Sequence, residues 1–177
     1  IEAVGLFTPP AGRAALVRRC IQAGKHVMTT KPFELDPEAA LAVLREAREA
    51  GIAVHLNSPG PLPADDVAKI AEWREAYALG RPIAARWETY AKYQERADGG
   101  WMDSPVRCPV APVFRIGIYG INELIQILGR VALVQVVESR ITTGRPTPDT
   151  AELALHFDNG AIGSVFASFC VGNGYAY

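Results

Sequence analysis

Residues 1–57 alternate short apolar runs with amphipathic stretches, and that alternation limits the possible folds more than any other feature of the chain. AVGLF (3–7) is a continuous apolar run closed by Thr8-Pro9-Pro10. A run of this length bounded by turn residues reads as a strand buried in a parallel sheet. Residues 11–23 read as a helix, with Leu16, Val17, Cys20 and Ile21 on one face and Arg13, Arg18 and Arg19 pointing away. Gly24 stands where a helix-ending glycine belongs. His26 to Thr29 make the second strand. DPEAALAVLREAREAG opens with Asp36 as N-cap and Pro37 at the first helical position. Ala40, Val43, Leu44 and Ala47 recur at helical spacing, and Gly51 closes the segment. IAVHLN (52–57) is the third strand. The β-α-β-α-β order calls for a parallel sheet with right-handed crossovers.

The pattern changes at SPGPLP (58–63), a Pro/Gly-rich break that predicts a domain boundary, with residues 1–60 on one side and 61–177 on the other. PADDVAKIAEWREAYALG predicts a helix with Asp65 and Asp66 in its positive first turn. RPIAARWETYAKY predicts a strand, residues 94–116 are irregular, and GIYGINELIQILG (117–129) is helical. From 131 onward strand follows strand. In AELALHFDNGAIGSVFAS, Leu153, Leu155 and Phe157 alternate with smaller or polar residues, and Asn159-Gly160 supplies a hairpin turn. The expected architecture is an α/β unit with a partial parallel sheet, followed by an α+β domain with a mixed or antiparallel sheet.

The formal net charge of −1 argues against a nucleic-acid binder that works by neutralising phosphates. No apolar run approaches the ~18 residues that span a bilayer, so no membrane partner is expected. Cys20, Cys108 and Cys170 are odd in number and far apart, which reads as reduced thiols in a cytoplasmic protein. His26, His55 and His156 lack metal-ligand spacing, so no metal site is expected. The chain starts at Ile1, already inside an apolar segment, and reads as a piece of something longer.

In a parallel α/β sheet, ligands bind beyond the carboxyl ends of the strands. Thr8-Pro9-Pro10, Thr29-Thr30-Lys31-Pro32 and Asn57-Ser58-Pro59 all fall there. Pro32 lacks a backbone donor and holds the residue before it extended, so Lys31 has a set direction. It is either a solvated strand-end lysine or a group placed to meet a ligand. On the later helix, Ile121, Leu124, Ile125 and Leu128 form the expected buried stripe. Tyr119, Asn122, Glu123 and Gln126 repeat at the same spacing on another face, which either lines a cleft or meets solvent.

Together, AVGLFTPPAGRAALVRRCIQAGKHVMTTKP and the later GIYGIN resemble the Gfo/Idh/MocA oxidoreductases, with a tyrosine in the second motif similar to the glucose–fructose oxidoreductase branch. The resemblance implies a Rossmann-type nucleotide-binding domain joined to a substrate and dimerisation domain. It implies an NAD- or NADP-dependent oxidoreductase transferring hydride between the nicotinamide and a sugar, polyol or related cyclic alcohol. By position, Lys31 matches the motif lysine that contacts substrate and nicotinamide, and Tyr119 matches the acid/base residue. Thr8, Pro9, Pro10 and Thr30 match cofactor-contacting positions, and Asn122 a substrate-holding one. A homo-oligomer through the C-terminal sheet is implied as well. The chemistry suits these residue types. A phenol ordinarily titrates near ~10, and a nearby ammonium together with an oxidised nicotinamide favours the phenolate a base needs.

The chain also departs from that pattern. No G-x-G-x-x-G occurs, so the phosphate-binding loop is absent from these residues. Thr30 replaces the family's glutamate, Arg13 its usual histidine, and Arg115 the aspartate ahead of the second motif. Two expectations follow: a fragment of an active oxidoreductase, inactive alone, or a non-catalytic relative that regulates by binding a ligand or a protein.

Overall fold

The computed structural model describes residues 1–60, 62–93 and 95–172. The chain forms two compact units, Ile1–Pro61 and Leu62–Tyr177.

The first unit is β1 (Ala3–Leu6), α1 (Arg13–Gln22), β2 (His26–Thr29), α2 (Pro37–Glu49) and β3 (Val54–Leu56). Its strands are parallel in the order β1-β2-β3, with Leu6 opposite Thr29 and Thr29 opposite Leu56. Two successive right-handed crossovers running the same way leave both helices on one face of the sheet. The core lies there, where Val27 meets Ala14, Val17 and Val43, with Leu6, Cys20, Ile21, Phe33 and Val54 around it. Ala3, Gly5, Met28 and His55 point to the opposite face and are exposed. The expectation of a fully buried β1 is therefore corrected: a sheet covered on one side gives an alternating strand, not a doubly buried one.

Asp36 caps α2 as its sequence predicts, accepting from the N–H groups of Glu38 at 2.9 Å and Ala39 at 3.1 Å. Arg18 of α1 and Glu46 of α2 join the helices through two 2.7 Å hydrogen bonds. Leu44, expected in the buried stripe of α2, is exposed, while Val43 and Ala47 fill the interior.

The second unit comprises α3 (Asp65–Ala76), β4 (Ala84–Tyr90), α4 (Ile118–Leu128), β5 (Val131–Ser139), β6 (Thr150–Phe157) and β7 (Ile162–Ser168). The sheet order is β4-β7-β6-β5. β4 runs parallel to β7, and the other pairs are antiparallel, so the sheet is mixed. Leu153, Leu155 and Phe157 of β6 and Val165 and Ala167 of β7 supply the core face, against Leu124 and Leu128 of α4. Within the stretch expected to be irregular, Trp101–Asp103 form a 3₁₀ turn and Val113–Gly117 a π-helical turn that leads directly into α4. No helix is long and apolar enough to cross a membrane among the described residues.

The inner face of α4 also departs from the expected stripe. Leu124 and Leu128 are buried, but Ile125 is exposed, and Gly117 and Gly120 are buried in its place. A Cβ on Gly120 would sit 2.3 Å from the Trp87 ring, and one on Gly117 would sit 3.2 Å from Val113. The helix approaches β4 through absent side chains, which a count of apolar residues does not register.

Candidate active site

The parallel register brings the three strand-end loops of the first unit to one edge. They are tied together by hydrogen bonds. The Thr29 hydroxyl donates to the Leu6 carbonyl at 2.8 Å, and the Asn57 N–H donates to the Thr29 carbonyl at 2.9 Å. Thr8 and Pro9 are exposed, Pro10 is buried, and Thr30 and Lys31 are half-buried. The Lys31–Pro32 and Ser58–Pro59 peptide bonds are cis.

Arg13 holds this edge. The sequence pattern placed it among arginines pointing outward, but it is 1% exposed. Its guanidinium donates to the carbonyls of Thr30 and Pro32, each at 2.5 Å, and to that of Thr8. The fork of donors on a guanidinium can meet several acceptors at once, which makes burial of the charge tolerable. A helical wheel sees only an arginine; the acceptors belong to loops that the topology brings near.

Glu34 completes the edge. Helix α1 starts after Gly12, whose φ of 75° is readily adopted by glycine, and has no side-chain cap of its own. Glu34 reaches across to accept from the N–H groups of Gly12 at 3.2 Å and Ala14 at 2.8 Å, and from that of Leu35 at 2.7 Å. Burial pushes its carboxyl upward, but the N–H groups of Ala14, Leu35, Gly12 and Asp36 outweigh this and hold it below the usual carboxylate range.

In the second unit, Tyr119 is the second residue of α4 and is half-buried, as are Asn122 and Glu123 on the same polar stripe, while Gln126 is exposed. Burial and the Asp66 carboxylate raise Glu123 above the ordinary range, with the Trp87 indole pulling the other way. Glu123 stood in the polar stripe of the sequence, but nothing there announced its indole and carboxylate neighbours.

Arg115 has a structural occupation. It forms a bidentate pair with Glu95 at 2.6 and 2.7 Å. Its guanidinium lies 4.8 Å from the ring centroids of both Tyr93 and Phe169. Arg145, 6% exposed, binds Asp103 at 2.5 Å and lies 3.5 Å from Glu95. The hydrogen bond from Arg115 holds Glu95 below the usual range against the effect of burial. A cavity of about 680 Å³ opens beside this network, lined by Lys92, Tyr93, Glu95, Arg96, Thr142 and Phe169 among others. Cys20, Cys108 and Cys170 are free thiols, and burial pushes that of Cys108 up to about 11.

The predicted residues are thus distributed by unit. Thr8, Pro9, Pro10, Thr30 and Lys31 share one edge of the first, and Tyr119 and Asn122 share one helix of the second. The strand order of the first unit is sequential and contains no reversal, and a reversal is what creates the ligand crevice in such sheets.

Two family models match the chain in succession. Residues 1–58 match the oxidoreductase family with an NAD-binding Rossmann fold, and residues 67–177 match the GFO/IDH/MocA C-terminal domain. The chain is 27% identical over 157 residues to galactose 1-dehydrogenase of Pseudomonas fluorescens, covering 88% of this chain and 48% of that protein. The crystal structure of GenD2 from gentamicin A biosynthesis, in complex with NAD, superposes with a TM-score of 0.82 at 21% identity, covering 99% of this chain and 50% of the other. The WlbA dehydrogenase of Bordetella pertussis, in complex with NADH and UDP-GlcNAcA, gives 0.77 at 19% identity, covering 98% and 50%. The chain therefore spans about half the length of these relatives. With its parallel unit and its mixed-sheet unit each matched to the corresponding domain, the chain belongs to the Gfo/Idh/MocA family of NAD-binding oxidoreductases.

Proposed function

We propose that the protein carrying this chain oxidises a hydroxyl of a sugar, polyol or related cyclic alcohol with NAD or NADP. Lys31 and Tyr119 serve the reacting carbon, and Asn122 holds the substrate. Substrate R₂CH–OH and the oxidised cofactor give R₂C=O, reduced cofactor and a proton. The bound nicotinamide supplies the hydride acceptor. Lys31 donates a hydrogen bond to the substrate hydroxyl, and the Tyr119 oxygen takes its proton. Thr8, Pro9, Pro10 and Thr30 border the cofactor, with residues 1–60 as its domain and 61–177 as the substrate and dimerisation domain. The observation that carries this reading is the strand-end edge on which Arg13 anchors the backbone on either side of Lys31. The sugar class is favoured by the relation to a galactose dehydrogenase. The free thiols suit a reducing, cytoplasmic location. Self-association would use β5, whose Leu133, Val134, Val136 and Val137 are exposed.

The test is nicotinamide reduction by the whole protein against a panel of aldoses and polyols, with NAD and with NADP. Turnover of at least one sugar, lost in Lys31→Met and in Tyr119→Phe, supports the reading. Ligand binding without turnover on any member contradicts it and favours a regulatory relative. The 177 residues alone lack a G-x-G-x-x-G loop and are expected to bind dinucleotide weakly. Tight stoichiometric binding in calorimetry contradicts that expectation.

A further inference from the structure

We infer that Arg13 is the positioning residue for Lys31. Nearly complete burial of an arginine is costly unless its donors are met. Its nearby carboxylate, Glu34, is occupied by backbone N–H groups at the start of α1. The two terminal nitrogens of the guanidinium instead donate to three carbonyls, none from the helix that carries it, while Nε is buried without a partner.

The choice of carbonyls is informative. That of Thr30 belongs to the peptide group before Lys31, and that of Pro32 lies just beyond the Lys31–Pro32 bond. The Pro32 ring limits rotation between them. With both ends held, the Cα–Cβ direction of Lys31 is fixed and only the side-chain torsions remain. The Thr8 carbonyl joins the loop after β1 to the same anchor. A packing role alone would be served at lower cost by an apolar side chain. The arrangement therefore acts on the loops, which it locks to the first turn of α1.

This inference rests on Lys31 being the group that meets the substrate, and its test separates the two claims. In the whole protein, Arg13→Met keeps an unbranched stem without donors. Arg13→Lys keeps a charge that cannot fork across three acceptors. Val17→Ala is the control, a truncation of a fully buried apolar residue one turn further along the same helix, which donates no hydrogen bond to the loop carbonyls. Each is checked by its denaturation midpoint and assayed where it is fully folded. Carbon-13 methylation of the amines reports on each lysine, and the Lys31 resonance is assigned by its loss in Lys31→Arg.

We expect kcat to fall about 10–100-fold in Arg13→Met, less in Arg13→Lys, and under about twofold in Val17→Ala. We expect KM to move less than kcat. The Lys31 resonance should move toward those of the exposed lysines in Arg13→Met and stay in place in Val17→Ala. Equal turnover and an equal Lys31 resonance in the Arg13→Met and Val17→Ala proteins would overturn the inference, as would a moved resonance with unchanged kcat. Unchanged turnover in Lys31→Met would instead overturn the role of Lys31 itself.

Discussion

An added Cβ on Gly120 would meet the Trp87 ring at 2.3 Å, so the residue after Tyr119 is restricted by close approach rather than by backbone angle. In an open helix, Gly→Ala is a gain of roughly 1 kcal/mol. Here overpacking opposes it, and Gly120→Ala should lose about 1–3 kcal/mol in urea denaturation. Glu123, one turn beyond Tyr119, carries the opposite kind of stress. Burial and Asp66 raise its folded value above the unfolded one near ~4.3. Its contribution is therefore present below the unfolded value and is lost as pH rises through the folded one. Glu123→Gln should leave stability unchanged near about pH 4 and raise it at neutral pH. A denaturation midpoint that falls at neutral pH would show that the ionised carboxylate, through Trp87, is the favoured state.

At the scale of elements, the two helices of the first unit differ in how they begin. Helix α2 is capped locally by Asp36, whereas α1 borrows Glu34 from twenty residues or more along the chain. Removing that carboxylate strands the N–H groups of Gly12 and Ala14. Glu34→Ala should cost about 1–2 kcal/mol. Amide exchange should quicken at Gly12, Ala14 and Leu35 and stay unchanged at Glu38 and Ala39, which Asp36 serves. Equal quickening at both helices would point to global loosening instead.

This contrast explains what was legible in the chain. Local signals carried through: apolar runs became β1 to β3, Asp36-Pro37 started α2, and Asn159-Gly160 turned the hairpin. Features made by distant partners did not. Arg13 is buried because three loop carbonyls converge on it, and Arg115 is half-buried because Glu95 and two aromatic rings flank it. The π-helical turn at Val113–Gly117 lies mostly within the stretch 94–116 that the sequence pattern leaves irregular, since a single widened turn leaves no periodicity to find.

At the scale of the whole molecule, the chain carries a parallel unit and a mixed-sheet unit that match the two domains of one oxidoreductase family. The proposed chemistry divides between them, with an ammonium on the first and a phenol on the second. Groups that serve one reacting carbon act as a unit, so their losses do not multiply. The decisive measurement is a double-mutant cycle on kcat/KM in the whole protein, comparing Lys31→Met, Tyr119→Phe and the pair together. Each single change is expected to cost about 10²–10⁴-fold, and the pair little more than the worse of the two. Full activity in either single variant, or a double loss equal to the product of the single ones, would contradict the claim that Lys31 and Tyr119 act as one catalytic unit.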